Sequence, residues 1–450
     1  MNTYDKYKPS GIEWIGDIPE QWNTKRMRYI AYMKGRIGWQ NLRADEFSFE
    51  QDLPFLITGM NFKDGKIRWD EVYHISEERY NEAPEIQLQE GDVLMTKDGT
   101  IGKLLLLENL PGKTSLNSHL LVIRSKYGDF KSKYLYYQLD SILFKHYIEL
   151  TKSGTTFFGI SQESVSKYPM LLPPIAEQTA IADYLDEKTA EIDKLIANKE
   201  RLIELLKEER TAIINKAVTR GINADAKLKP SGIDWLGDIP EHWEVKKLKF
   251  LLKANKGAMK TGPFGSHLKN SDFQTIGDYK VYNQRNVFDN DFDKGEDFIS
   301  QTKFNELRGF EIFENDILVT TRGTIGKCAV FPEGKTKGIL HPCLIRFQPD
   351  ETKISNDWIK TYFNESSFFL ENVNLLSNAT TIEVIYSYNL KEVTIPLPPI
   401  EEQKEIVEFI ESKTNEIDST ISKIEKEIEL IKEYRTALIS EVVTGKIKVI

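Results

Sequence analysis

The chain has 450 residues, of which 40% are hydrophobic, with 60 basic residues against 69 acidic ones and two cysteines. That length suits about three domains with ample material for packed cores. No apolar run reaches the ~18 residues of a membrane span, the N-terminal MNTYDKYKPSG lacks the apolar core of a secretory signal, and Cys328 and Cys343 are too few for a disulfide framework, which fits buried, unreactive thiols in a reducing cytosol. The net charge of −9 excludes nucleic acid as a partner only until it is located: Glu177–Arg210 carries 10 acidic and 6 basic residues, Glu401–Arg435 carries 11 and 6, and the remainder is neutral.

In chain order, the first stretch, Tyr7 to Ile30, reads YKPSGIEWIGDIPEQWNTKRMRYI and returns at residues 228–251 as LKPSGIDWLGDIPEHWEVKKLKFL. Pro, Gly and Trp at fixed places predict an ordered connector whose tryptophans, Trp14 and Trp22 matching Trp235 and Trp243, pack on a neighbour. Residues 31–170 follow, with strand-like runs at Pro54–Ile57, Val93–Thr96, Lys103–Leu107 and Leu120–Arg124 separated by turn signals, then a helical segment Lys133–Leu150 and a polar loop Ser153–Ser164. Residues 252–395 repeat the plan in different text: GDVLMTKDGTIGK (Gly91–Lys103) matches NDILVTTRGTIGK (Asn315–Lys327), and little else between the connectors agrees.

After each variable region comes a long helix. Leu171–Ile222 returns as Pro396–Ile447 at a shift of 225 residues, each copy opening with Leu-Pro-Pro-Ile, which cannot be extended backwards as helix. In the second copy Ile410, Ile417, Ile424, Ile431 and Leu438 recur every seven residues, with Ile421, Ile428 and Val442 as the companion row. In the first, Leu185, Ile192, Leu206 and Ile213 form one row and Ile196, Ile203 and Ala217 the other. This is the seam of a two-stranded coiled coil or small bundle, each helix roughly 65 Å long at 1.5 Å per residue. Lys199 interrupts it, and Arg210 and Arg435 hold equivalent seam positions. Either the long Arg stems carry their charge out to water, or the arginines fix register and meet carboxylates of a partner. The fold expected is α+β: two strand-rich mixed domains separated by two long antiparallel coiled-coil helices in a pseudo-twofold repeat, with boundaries at 1–172, 173–222, 223–396 and 397–450.

Catalytic signatures fail one by one. GTIGK at 99–103 and 323–327 lacks the wider glycine spacing of a phosphate loop and its Ser or Thr after Lys, so it reads as a tight turn entering a strand. Asp350-Glu351 before Thr352-Lys353 reads as a surface turn rather than a metal nuclease. Six scattered histidines and two cysteines give no zinc spacing.

The doubled PSGIEWIGDIPE/PSGIDWLGDIPE, the doubled TKDGTIGK/TTRGTIGK, and the doubled LPPIAEQ/LPPIEEQ opening a helix that ends ERTAIINKAVT or YRTALISEVVT together resemble the specificity subunit of type I restriction-modification systems, over essentially the whole chain. GRIGWQNLRADEF, and GPFGSHL with YKVYNQRNV, resemble alternative recognition texts of that family. The resemblance implies a non-catalytic cytoplasmic reader of double-stranded DNA with no cofactor of its own. Two target recognition domains would each read one half of a split, asymmetric sequence. The helices would set the gap and dock two modification subunits, which carry S-adenosylmethionine and methylate adenine. Restriction subunits with ATP and magnesium would add translocation and cleavage. The alternatives are a coiled-coil scaffold that never touches DNA, and the specificity subunit of a related system with fused restriction-modification chains.

Residues shared by the two halves cannot explain two different readouts, so they belong to scaffold or phosphate contacts. Lys103 and Lys327 in the repeated turn are phosphate candidates, and so are Thr155, Thr156, Thr380 and Thr381 in the polar loops, whose hydroxyls either bond phosphate or stabilise the turns. Base readout belongs in divergent polar text: Lys34, Arg36, Gln40, Asn41 and Arg43 in the first half, and Lys260, Ser266, His267, Lys269, Asn283, Gln284, Arg285 and Asn286 in the second. Arg and Lys suit guanine edges, Asn and Gln adenine.

Overall fold

The computed structural model describes residues 3–36, 42–63, 65–98, 100–151, 159–377 and 384–450. It divides into two compact units, residues 1–200 with 425–450, and residues 201–424, so each long helix contributes to both. The expected α+β composition is what the chain forms, with Ile175–Arg220 and Ile400–Val443 as the long helices.

Both helices begin at the Pro-Pro pair, and the residues after it show why the motif is LPPI-x-EQ. Gln178 is fully buried; its Nε2 donates to the Pro173 carbonyl (2.9 Å) and the Asp129 carbonyl (3.1 Å), and its Oε1 accepts from Lys131 N (2.9 Å). Gln403 does the same in the second unit, with Pro398 O (2.9 Å), Lys353 O (3.1 Å) and Ser355 N (2.8 Å). One side chain thus ties the helix start to the loop before a helix of the mixed domain. The neighbouring Glu177 accepts from the Trp22 indole (3.0 Å) and from Tyr4, while Glu402 accepts from the Trp243 indole (3.1 Å) and pairs with His242 (2.7 Å). Trp22 and Trp243 are completely buried. The connector tryptophans therefore pack, with Trp14 stacked on Tyr147 and Trp235 against Phe368.

Each helix stops at a glycine with positive φ, Gly221 (+69°) and Gly445 (+73°), the left-handed residue that closes a helix C-terminus. On Gly445 a side chain is excluded for a second reason, since a Cβ would sit 2.4 Å from the Pro19 ring; on Gly221 a Cβ would press on Trp243 at 3.2 Å.

In the first unit an antiparallel sheet runs in the order Leu104–Leu106, Val93–Thr96, Leu120–Ser125, Ala31–Lys34. A smaller sheet pairs Thr114–Leu116 parallel to Phe55–Ile57, which pairs antiparallel to Tyr73–His74. The second unit repeats this with Cys328–Val330, Ile317–Thr320, Leu344–Phe347 and Met259–Thr261, and with Gly338–Leu340 parallel to Tyr279–Tyr282 beside Phe298–Ile299. Ile317–Thr320 is buried throughout, and its first three residues are apolar, because both of its faces are covered. Ile317 and Val319 join Trp358, Tyr362 and Ile406 on one side, and Leu318 joins Tyr282 and Phe331 on the other.

The helical segment expected at Lys133–Leu150 is two helices, Ser132–Asp140 and Ile142–Thr151. Ser141 breaks it: its backbone is extended (ψ 156°), its hydroxyl donates to the Gln138 carbonyl (2.6 Å), and the next amide, Ile142 N, donates to Ser440 Oγ (2.9 Å). The polar loop expected to run to Ser164 ends earlier, since Ser161 caps a short helix Gln162–Lys167. Cys328 is buried, which pushes its thiol up to about 12. Asp350 closes the expected surface turn, held down to about 2 by Lys353 and Thr352. Among the described residues no His, Cys, Asp and Glu group is placed to hold a metal, and no helix is long and apolar enough to cross a membrane.

The seam positions are largely covered. Leu185, Ile192, Ile196, Ile203, Ile410, Ile417, Ile421, Ile424, Ile428 and Leu438 are all buried, and Leu206, Ile213 and Ile431 are partly so. In the first unit the helical segments run antiparallel, with ion pairs Arg435–Asp193 (3.0 Å), Lys432–Glu200 (3.9 Å) and Lys199–Glu427. In the second, Arg210 reaches Asp418 (3.2 Å).

Candidate nucleic-acid interface

In each mixed domain the ends of several strands converge, and the loops that leave them form one cluster. In the second unit Gly262 N donates to Leu344 O (2.9 Å), and a Cβ on Gly262 would lie 2.1 Å from the His341 carbonyl oxygen, so the GPFGSHL loop leaves its strand pressed against His341-Pro342. Pro263 and Leu268 are buried and anchor that loop, which leaves Phe264, Ser266, His267 and Lys269 exposed. Thr321 N donates to Cys343 O (3.0 Å), Gln284 Nε2 donates to Arg322 O (2.6 Å), and Arg322 bridges to Val384.

The first unit builds the same cluster from other residues. A Cβ on Gly35 would lie 2.9 Å from both Leu120 O and Lys97 Nζ. Lys97 N donates to His119 O (2.8 Å), Asn117 N donates to Ile57 O (2.9 Å), and Asp98 bridges to Gly159. His119 Nδ1 lies 3.1 Å from Asp98 Oδ2.

One turn in the cluster is doubled in structure but not in text. Thr58 and Asn61 form a reciprocal capping box around Gly59–Asn61, and Asn283 and Asn286 form one at the start of Gln284–Phe288. This decides what those asparagines do. Asn286 is buried, its amide donating to Asp291 O (2.9 Å) and Lys294 O (2.7 Å); Asn283 Oδ1 accepts from Arg285 N (2.9 Å) and its amide donates to Asp297 (2.8 Å). They hold the turn, and Arg285 is the residue it exposes. Met60, 73% exposed, stands at the same place in the other unit.

Three other candidates, Arg36 for readout and Lys103 and Lys327 for phosphate, have neighbours of their own within the protein. Arg36 is 5% exposed, and its guanidinium donates to Leu116 O (3.0 Å) and Ser115 Oγ (3.1 Å); burial pushes it down to about 10, so it remains a cation that braces the strand end from within. Lys103 lines a cleft with Tyr136, Asp140 and Arg435, and Lys327 Nζ donates to the Asn364 carbonyl (3.0 Å), so both face the junction with the long helices. Their turn is pinned by Thr96 Oγ1 and Thr320 Oγ1, which accept from Lys103 N (2.9 Å) and Lys327 N (3.1 Å).

Lys34 and Lys260 occupy equivalent strand positions, opposite Val122 and Arg346, and are half-buried; the Lys260 ammonium lies over the Phe310 ring at 5.1 Å. Arg43 is exposed, its backbone amide bound by Glu46. Gln40, Asn41, Thr155, Thr156, Thr380 and Thr381 lie outside the described residues.

Residues not singled out from the sequence are Lys97 and Asp98 in one cluster, and Arg322 and His341 in the other. Burial pushes Lys97 down, against the pull of Asp98. Burial also pushes His341 down, against Asp297, and its Nδ1 accepts from Cys343 N (3.2 Å); a neutral ring with its proton on Nε2 follows. The signal for the first three was present. Inside TKDGTIGK and TTRGTIGK the only differing residues are Lys97-Asp98 and Thr321-Arg322.

Such a face offers cations, amides and the Asp98 carboxylate on matched backbones, which is the equipment of a groove reader. The family model described as the type I restriction modification DNA specificity domain matches residues 19–205 and again 240–430. The putative type I restriction enzyme MjaX specificity subunit of Methanocaldococcus jannaschii is 24% identical over 97% of this chain and 96% of its own length. The MjaVIII specificity subunit of the same organism is 27% identical over 96% and 94%. The EcoKI specificity subunit of Escherichia coli is 21% identical over 96% and 90%. In fold, the chain superposes on a chain from a structural study of type I restriction-modification complex assembly and conformational transition, with a TM-score of 0.66 at 16% identity, covering 96% of this chain and 99% of that one. The HsdS subunit from Thermoanaerobacter tengcongensis gives 0.54 at 15% identity, covering 96% and 98%. The chain belongs to the type I restriction-modification specificity-subunit family, with one specificity domain matched in each half.

Proposed function

We propose that each loop cluster reads one half of a bipartite, asymmetric sequence in double-stranded DNA, and that the paired helices set the gap and dock two modification subunits. The chain itself is non-catalytic and carries no cofactor. S-adenosylmethionine enters with the modification subunits, ATP and magnesium with the restriction subunits, and the assembly works in the cytoplasm.

The observation that carries this reading is the pair of clusters: one scaffold, with the same strand ends and the same capped turn, presenting Asp98 and Met60 in one copy and Arg322 and Arg285 in the other. A structural repeat whose exposed side chains differ suits two different half-sites. Docking is supported by apolar residues left exposed on the helices: Leu195, Leu430 and Tyr434 in the first unit, and Leu202, Leu205 and Phe409 in the second. Partner helices that complete a bundle would cover them.

The test is reconstitution with the modification subunits, followed by mapping of the methylated sequence. Replacing residues 31–170 by another recognition domain changes one half-site and leaves the other intact, and two modification chains co-purify with each chain of this protein. A change in both half-sites together would overturn the two-reader reading.

A further inference from the structure

Arg210 and Arg435 hold equivalent places in the two helices, and the structure gives them the same job. Arg435 Nε lies 3.0 Å from Asp193 on the neighbouring helix, and its Nη1 lies 3.5 Å from Asp140, the last residue of a helix of the first mixed domain. Arg210 Nε lies 3.2 Å from Asp418 on its neighbouring helix, and its Nη2 lies 2.9 Å from Glu365, the cap residue of the matching helix Asn356–Asn364. Each guanidinium joins three elements: its own helix, the antiparallel helix and the recognition domain.

A single exposed ion pair adds little stability. A forked head held between two acceptors on different elements adds geometry, because rotation of the domain about the helix lengthens one bond or the other. Lysine, a point charge without the planar fork, does not reproduce that. A second attachment lies five residues further along each helix, about 7.5 Å away. There Ser440 Oγ accepts from Ile142 N (2.9 Å), and the Asn215 side chain exchanges two bonds of 3.1 Å with Ser367. Two polar points separated along one helix axis add direction to the apolar contact in which Ile214, Ala217 and Ile406 meet Trp358 and Tyr362.

We infer that Arg210 and Arg435 are positioning residues which set the angle at which each recognition domain leaves the helix pair, and with it the gap between half-sites that the complex accepts. They touch no base. This rests on the reading that the helices set the gap, and it assigns part of that property to two side chains.

The test uses the full chain assembled with its modification subunits, methylating a pool of DNA in which both half-sites are constant and the gap varies by up to two base pairs either way. Each gap is scored relative to the parent gap within the same reaction, so a general loss of activity cancels. Arg210→Gln and Arg435→Gln raise methylation at neighbouring gaps at least 10-fold relative to the parent gap, with unchanged half-site preference, and the Lys variants restore selectivity only partly. Asp418→Asn and Asp193→Asn remove half-exposed carboxylates without disturbing the core, and they broaden the gap in the same direction, so a folding failure of the arginine variants does not leave the matter open. If the Asn variants keep the parental gap profile, the inference is overturned. If the unmodified complex itself shows no gap preference, the reading of the helices as spacers fails first, and that outcome is distinct.

Discussion

Lys97-Asp98 and Thr321-Arg322 are the sharpest test of readout at the level of single residues. Their backbones are anchored alike, Lys97 N by His119 O and Thr321 N by Cys343 O, so putting the smaller Thr and the Arg in place of Lys97-Asp98 keeps the backbone anchors and changes the side chains offered. Replacing Lys97-Asp98 by Thr-Arg alters the preferred base at one position of one half-site, and Arg322→Ala relaxes one position of the other by about 1–3 kcal/mol; methylation profiling over randomised half-sites reads both. A uniform loss over all sequences would reassign these residues to phosphate contacts. Gln403 makes a different prediction. Gln403→Ala leaves the Ser355 amide and the Lys353 and Pro398 carbonyls without their buried partner, at about 1–3 kcal/mol for such a deletion. Thermal unfolding shows a lowered midpoint with the half-sites unchanged. The doubled LPPI-x-EQ was legible as a helix start; the work of its Glu and Gln was not, because their partners lie far away in sequence. Arg36 was misplaced for a related reason: a cation in variable polar text looks exposed until two acceptors from a neighbouring strand are found beside it.

Among the elements, the strands and long helices could be read from periodicity and proline, while the break at Ser141 could not. The residues from Lys133 to Leu150 have no Pro or Gly, and the helix parts only because Ser141 takes the Gln138 carbonyl and Ser440 takes the next amide. Half of that interaction belongs to a residue some 300 positions away, at the far end of the chain. The seam was legible, but the partners of its arginines were not. The helices as spacers invite a matched insertion, seven residues after Lys199 and seven before Glu427, which face one another. Seven residues keep the apolar phase and add about 10 Å of helix. Methylated sites then carry the original half-sites with a gap longer by about three base pairs, given 1.7 Å of axis per charge on the duplex. An unchanged gap would separate these helices from spacing altogether.

Over the whole molecule, most of the doubling was visible in the text, since connector, GTIGK turn and helix start all recur, while the capped turn at Thr58 and Asn283 recurs in structure alone. What each copy meets was visible only in three dimensions. Trp243 and Pro240 pack against Gly221, to which their connector is joined by a few residues of chain. Trp22 and Pro19 pack against Gly445 in the same manner, and Tyr7 donates to the Gly445 carbonyl (3.0 Å), although more than 400 positions of sequence separate them. The first connector therefore holds its helix end with no covalent link to it, so the link after Gly221 is dispensable to the contact it spans. A protease site placed in the exposed turn at 223–227 tests this. Cleaved protein runs as two fragments under denaturing conditions, elutes as one particle in native gel filtration, and with its modification subunits still marks the same sequence. Separation of the fragments would mean that the peptide bond, rather than the packing, keeps the second connector in place. A severed chain that still works would show that each connector is a plug seated in its helix end, whether or not a few residues of chain tether it there.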